Sequence, residues 1–334
     1  MQKKIYSLQT MRLFASLMVF QFHMWHNYLN KDFLHPGTDF FIVLVGMVAA
    51  IAQSHRIPYE NWGKYIWARY LRLYVTFIPI FALYVLSGRD SLNLEFFFKS
   101  FFFIPIYDSL PLVGPTWMLS MFLVFYWLFT LAFIFHREGV LIPVFALWTA
   151  GILAYSWFNW NSSLPDEWNN ILFNHRNIEF IFGYLGGKLL LTRQVGLKTG
   201  GRILALGLGS ITIGVILLNN EVFSLAWRTY LFGIPLTMVS IGLSALEQNN
   251  STNRLFQVFT HPWLVWLGGT SYVLYLIHNM VLRIWDTIIP ITPIQTPLIT
   301  IITVLIGAIG YKLWEKPVLK YIKTKTLQRI FASY

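Results

Sequence analysis

The chain has 334 residues, of which 56% are hydrophobic, 18% aromatic and only 12% charged, with a net charge of +11. A soluble globular domain carries about 25% charged residues, so this composition excludes one. There are no cysteines, which removes disulfides, thiolate metal sites and a cysteine nucleophile. Long apolar runs recur from end to end and read as an all-α, polytopic integral membrane protein. A β-barrel would alternate with period two, and these runs do not. The positive charge clusters in alternate loops, as the positive-inside rule requires, so nucleic acid is not its implied partner.

The first span is expected over 7–27. It begins after Lys3 and Lys4 like a signal peptide, but it is long, holds Arg12 and His23, and lacks a small-residue cleavage site. It therefore reads as a retained helix. Further spans are expected over 38–52, 73–86, 116–135, 140–158, 178–191, 203–218, 224–246, 268–289 and 296–314. The span over 178–191 is short and carries Glu179 and a Gly186–Gly187 pair. Residues 94–107 are aromatic but too short to cross, and read as interfacial or re-entrant. The last span is expected to end at Pro317. Ten spans put both termini on one side, and the Lys and Arg bias makes that side cytoplasmic. The whole of 1–334 reads as one membrane domain.

Arg12 and His23 are the most informative pair. Eleven residues of α-helix turn about 1100°, three turns plus ~20°, and rise roughly 16 Å. The two side chains therefore share a face, one near the interface and one deep in the apolar run. Such residues are costly in lipid and mark function by default. Asp39 opens the next span, across a short loop, at what reads as a similar depth. It could orient a protonated His23 as in general-base catalysis, or it could serve as a structural hydrogen bond or helix cap.

Arg69 and Arg72 share a face at the cytoplasmic start of the third span. With Arg12 they suit phosphate groups, which guanidinium forks bind bidentately; anchoring to acidic lipid headgroups is the other reading. In the ninth span Ser271, Tyr275 and His278 form one polar stripe at i, i+4 and i+7. That stripe faces either a cavity or a packing partner. Glu315, at the inner end of the last span, reads as a structural partner for one of the inner arginines. Trp117 and the other aromatics near span ends read as belt residues. No metal-binding spacing, Walker loop or GxGxxG is present, so neither metal nor nucleotide loop is expected.

In this order the pieces resemble the membrane-bound acyltransferase family 3, whose members acylate sugars and lipids. The resemblance runs over about 5–320. It rests on Arg12-x10-His23 and Arg69-x2-Arg72, with GTDFFIVLVG at 37–46, PTW at 115–117, SYVLYLIH at 271–278 and Tyr311 to Pro317 in support. The chain departs from many members after Trp117, where it reads Met118-Leu119-Ser120-Met121-Phe122 and lacks a polar and an acidic group. The esterase-like domain fused to some members is not in these residues, so the acceptor would be handled by the membrane domain or a separate partner.

The resemblance implies ten spans with cytoplasmic termini in a bacterial inner membrane. It implies acyl-CoA, acetyl-CoA in the simplest case, as donor, with its phosphates on Arg12, Arg69 and Arg72. His23 would then be the general base with Asp39 behind it, and the acceptor a hydroxyl of a cell-surface glycan or lipid-linked sugar. A transporter or flippase of an acyl- or glycan-linked substrate is the alternative. No inverted repeat or matching pair of broken spans supports it.

Overall fold

The computed structural model describes residues 5–29, 36–87, 93–105, 110–158, 171–219, 227–249 and 254–331. The loops expected at 30–35 and across 159–170 lie outside the described residues. Fourteen α-helices follow in chain order: α1 (Ser7–Leu29), α2 (Gly37–Gln53), α3 (Trp62–Leu86), α4 (Leu94–Phe101), α5 (Trp117–Ile134), α6 (Leu141–Phe158) and α7 (Arg176–Thr192), then α8 (Leu197–Asn219), α9 (Arg228–Gln248), α10 (Arg254–Phe259), α11 (Pro262–Gly269), α12 (Ser271–Ile288), α13 (Thr296–Gly310) and α14 (Lys316–Phe331). No strand occurs among the described residues.

Six helical stretches are long and apolar enough to cross a membrane, or seven if α11 and α12, bent by 63° against each other, count as one. The expected spans that fall short are α1, α2 and α7. Of these, α2 and α7 have 17 residues each. These three helices carry Arg12 and His23, Asp39, and Glu179 in turn, and of them α2 is apolar and falls short by its length.

The helices form two compact units, each assembled from separated stretches. The first comprises Met1–His55, His175–Ser271 and Ile291–Thr296. Its packing relies on small residues, as expected where lipid gives no hydrophobic drive between helices. A Cβ on Gly46 would overlap the Phe180 carbonyl, and one on Gly183 would overlap that of Val43. Gly187, four residues after Gly183, lies on Met47 and Ala50. The pairing order makes α2 and α7 parallel, with backbones nearly touching. On α8, glycines at 200, 207 and 214 each meet α9, against Ala245, Pro235 and Leu231 in turn. The N-terminus of α1 is closed by Glu247, whose two oxygens accept from the N–H groups of Tyr6 and Ser7 at 2.7 and 2.8 Å. A carboxylate there satisfies orphan donors and complements the helix dipole.

The second unit comprises Arg56–Asn174, Tyr272–Pro290 and Pro297–Tyr334. It packs aromatic rings instead. Phe77 meets Phe103 at 4.6 Å and Phe81 at 5.1 Å, and Phe81 meets Phe97 of α4 at 5.2 Å. With eight residues, α4 is far too short to span. Pro79 sits inside α3 and brings no N–H for the Val75 carbonyl one turn back. The Trp314 indole supplies that donor at 2.7 Å.

Two expected helix ends are corrected. The ninth span does not start at Gly268; α11 runs through it to Gly269 and the chain bends before α12. Pro317 does not end the last span. Tyr311–Glu315 form a π-helical turn in which the Lys316 N–H bonds the Tyr311 carbonyl, and the helix continues as α14. The wider turn shifts the hydrogen-bond register just before Pro317, which absorbs the proline's missing donor.

Candidate active site

On α1 the helix is unbroken from Ser7 to Leu29, so Arg12 and His23 do share a face, roughly 16 Å apart along the axis. Arg12 Nη1 donates to Gln9 Oε1 at 3.4 Å, on its own helix. His23 is half-buried, one turn before His26.

Asp39 is completely buried and belongs to a different constellation from the one expected. Arg228 Nε donates to its Oδ1 at 2.9 Å and Nη2 to its Oδ2 at 2.6 Å, a bidentate pair. Arg176 acts on Asp39 electrostatically, and the Glu179 carboxyl meets the Asp39 carboxyl side by side. All four residues lie in the first turns of α2, α7 and α9, which run parallel. Their aligned dipoles favour a carboxylate there, and Arg228 pairs with that of Asp39. A bond from Asp39 to His23 is not among the contacts of the described residues. The carboxylate that sequence reasoning placed behind the histidine is committed to Arg228.

In the second unit, Arg69 lies on α3 with its guanidinium carbon 5.2 Å from the Tyr65 ring centre and 5.6 Å from that of Tyr126 on α5. Arg72 is exposed one turn on and acts electrostatically on Tyr272, as does Glu315. Thr76 donates to Glu315 Oε2 at 2.9 Å, inside the protein. Glu315 therefore answers to a threonine of α3, and no ion pair between it and Arg69 or Arg72 occurs among the described residues.

The stripe on α12 is buried throughout. Tyr275 donates to the Pro115 carbonyl at 2.6 Å, which ties α12 to the turn just before Trp117. Trp117 itself is half-buried at the start of α5. His278 Nδ1 lies 2.6 Å from the Tyr275 carbonyl. A carbonyl only accepts, so Nδ1 carries a proton and donates. Ser271 heads the helix and ends the His175–Ser271 stretch of the first unit, with its hydroxyl buried.

A family profile described as an acyltransferase domain matches residues 5–312. The chain belongs to acyltransferase family 3. No curated protein and no solved structure matches it. The protein is thus a membrane acyltransferase, and the match takes in most of both units. The residues singled out from sequence divide between them: Arg12, His23 and Asp39 fall in the first, and Arg69, Arg72, Trp117, Tyr275, His278 and Glu315 in the second. Among the described residues no group of three or more His, Cys, Asp or Glu is placed to hold a metal.

Sequence reasoning missed Arg228, Arg176, Tyr65 and Tyr126, and treated Glu179 as a flaw in a span. Two signals were present. Tyr65 and Arg69 are four apart on one helix face, and Arg228 opens an otherwise apolar run, where a buried charge demands a partner.

Proposed function

We propose that this acyltransferase moves an acyl group, acetyl in the simplest case, from cytoplasmic acyl-CoA to a hydroxyl of a cell-surface glycan or glycolipid. Arg12, Arg69 and Arg72 bind the donor's phosphates, and His23 is the general base. The acceptor oxygen attacks the thioester carbonyl as His23 takes the hydroxyl proton. The C–S bond then breaks, and the imidazolium returns the proton to the departing thiolate, giving the ester and free CoA. The observation that carries this reading is the unbroken α1, which aligns a guanidinium and an imidazole on one face at roughly the reach of an extended pantetheine arm.

Asp39 has a supporting part in this scheme. With Arg228 it joins the first turns of α2 and α9, both packed on α1. The Lys and Arg bias supports an orientation with both termini in the cytoplasm, and a bacterial plasma membrane is the location carried over from the family.

The test is CoA release from acetyl-CoA by purified protein in proteoliposomes, with a mixed pool of glycan acceptors. His23→Ala is expected to abolish release while still binding CoA, and Arg69→Ala to lose binding. Folded wild-type protein that binds no CoA would overturn the reading and favour a transporter.

A further inference from the structure

Two other arginines with resolved partners are fixed by acids: Arg56 pairs with Glu60, and Arg228 with Asp39. Arg69 is fixed differently. Two aromatic rings lie within cation–π range of its guanidinium, and no ion pair to it occurs among the described residues. The rings are themselves held. Tyr65 is buried and stacked on Phe133 at 4.2 Å, with 17° between the planes. Beside Tyr126, Trp127 donates to the Tyr70 hydroxyl at 3.1 Å, which locks α5 to α3 next to Arg69.

The chemical difference between the two kinds of support is direct. A carboxylate would fix the guanidinium equally well, but it would occupy the N–H fork and compete with an incoming phosphate. A ring engages the flat face, and even with the Tyr65 hydroxyl accepting from Arg69 most of the five N–H donors at the edge are left for a phosphate. It also leaves the positive charge uncancelled.

We propose that Tyr65 and Tyr126 are positioning residues, an aromatic clamp that orients Arg69 to receive a phosphate of the acyl donor. This rests on the reading of Arg69 as a donor ligand. The clamp acts on binding and not on the acyl-transfer step, so its signature is a change in donor KM at unchanged kcat.

The experiment measures kcat and donor KM with acetyl-CoA in proteoliposomes, beside thermal melts in detergent. Tyr126→Leu removes one face and is expected to raise donor KM about tenfold, within the range of a desolvated cation–π contact. Tyr126→Phe keeps the face and is expected to restore most of that affinity. In an Arg69→Ala background, Tyr126→Leu should add no further loss, because the clamp acts only through Arg69. Arg69→Lys keeps the charge but not the flat face, and should lose most of the affinity as well; it tests the clamp even if Tyr126→Leu fails to fold.

The outcomes separate the two ideas. Arg69→Ala with normal donor KM overturns the donor-ligand reading and the clamp with it. Arg69→Ala that weakens binding, beside a folded Tyr126→Leu or an Arg69→Lys with wild-type donor KM, overturns the clamp alone. Tyr126→Leu that lowers kcat as much in the Arg69→Ala background as in wild type shows a merely structural tyrosine and overturns it too.

Discussion

The two units of this acyltransferase solve the same packing problem with different chemistry. In the first, glycines bring backbones together and two helices are joined by a buried ion pair, Asp39 against Arg228. In the second, rings fill the space and the ties between helices include hydroxyls and an indole donating to carbonyls, as at Tyr272–Leu73, Tyr275–Pro115 and Trp314–Val75, beside the Thr76–Glu315 bond. Backbone contact has no slack, since a carbonyl cannot move without its helix. Rings and hydroxyls have neighbours that can repack. The first unit should therefore be the intolerant one.

The sharpest way to break that contrast is Gly183→Leu, which drives a side chain into the Val43 carbonyl. Overpacking on this scale costs about 3 kcal/mol or more, and no monodisperse protein is expected on size exclusion in detergent. Next comes His23→Ala, also in the first unit but away from the glycine seam. It should leave the melt unchanged and lower turnover by ~10²–10⁴, the usual worth of a general base. A melt that falls with activity would make His23 structural.

Arg228→Ala is expected to destabilise by about 3–5 kcal/mol, because Asp39 is then a buried charge without its counter-ion. The double variant Asp39→Ala/Arg228→Ala should recover part of this, as removing both charges removes the uncompensated one. Denaturation of the single and double variants side by side decides it. The smallest effect belongs to the second unit. Trp314→Phe keeps the ring but strips the donor from the Val75 carbonyl, at a cost of about 1–3 kcal/mol. A loss as large as that of Gly183→Leu would erase the distinction between the units.

Much of this was legible from residues alone. The helical class, the Arg12–His23 alignment and the family motifs need only spacing and hydropathy, which are local. The Asp39–Arg228 pair is not local: 189 residues separate its members, and each alone reads as a polar blemish on a span. Asp39 was assigned to His23 because short loops imply neighbouring helices, and that rule ignores a partner arriving from α9. The span over 178–191 looked weak because it is short and glycine-bearing. Those glycines are what let α7 press on α2. Pro317 misled for a different reason: proline stops an α-helix only if the hydrogen-bond register is kept, and the preceding turn changes it.

That turn also has a bearing on insertions and deletions. Measured against an α-helix, Tyr311–Glu315 holds one surplus residue. The turn spreads its residues over about the rotation that one fewer takes in an α-helix, so removing a single residue at its start would restore ordinary helix and leave Trp314 and Glu315 facing Val75 and Thr76. The same deletion inside α13, which has no surplus to give up, would swing everything after it by about 100° and undo both ties to α3 although neither side chain had been altered. Along this helix, where a residue is lost matters as much as which one.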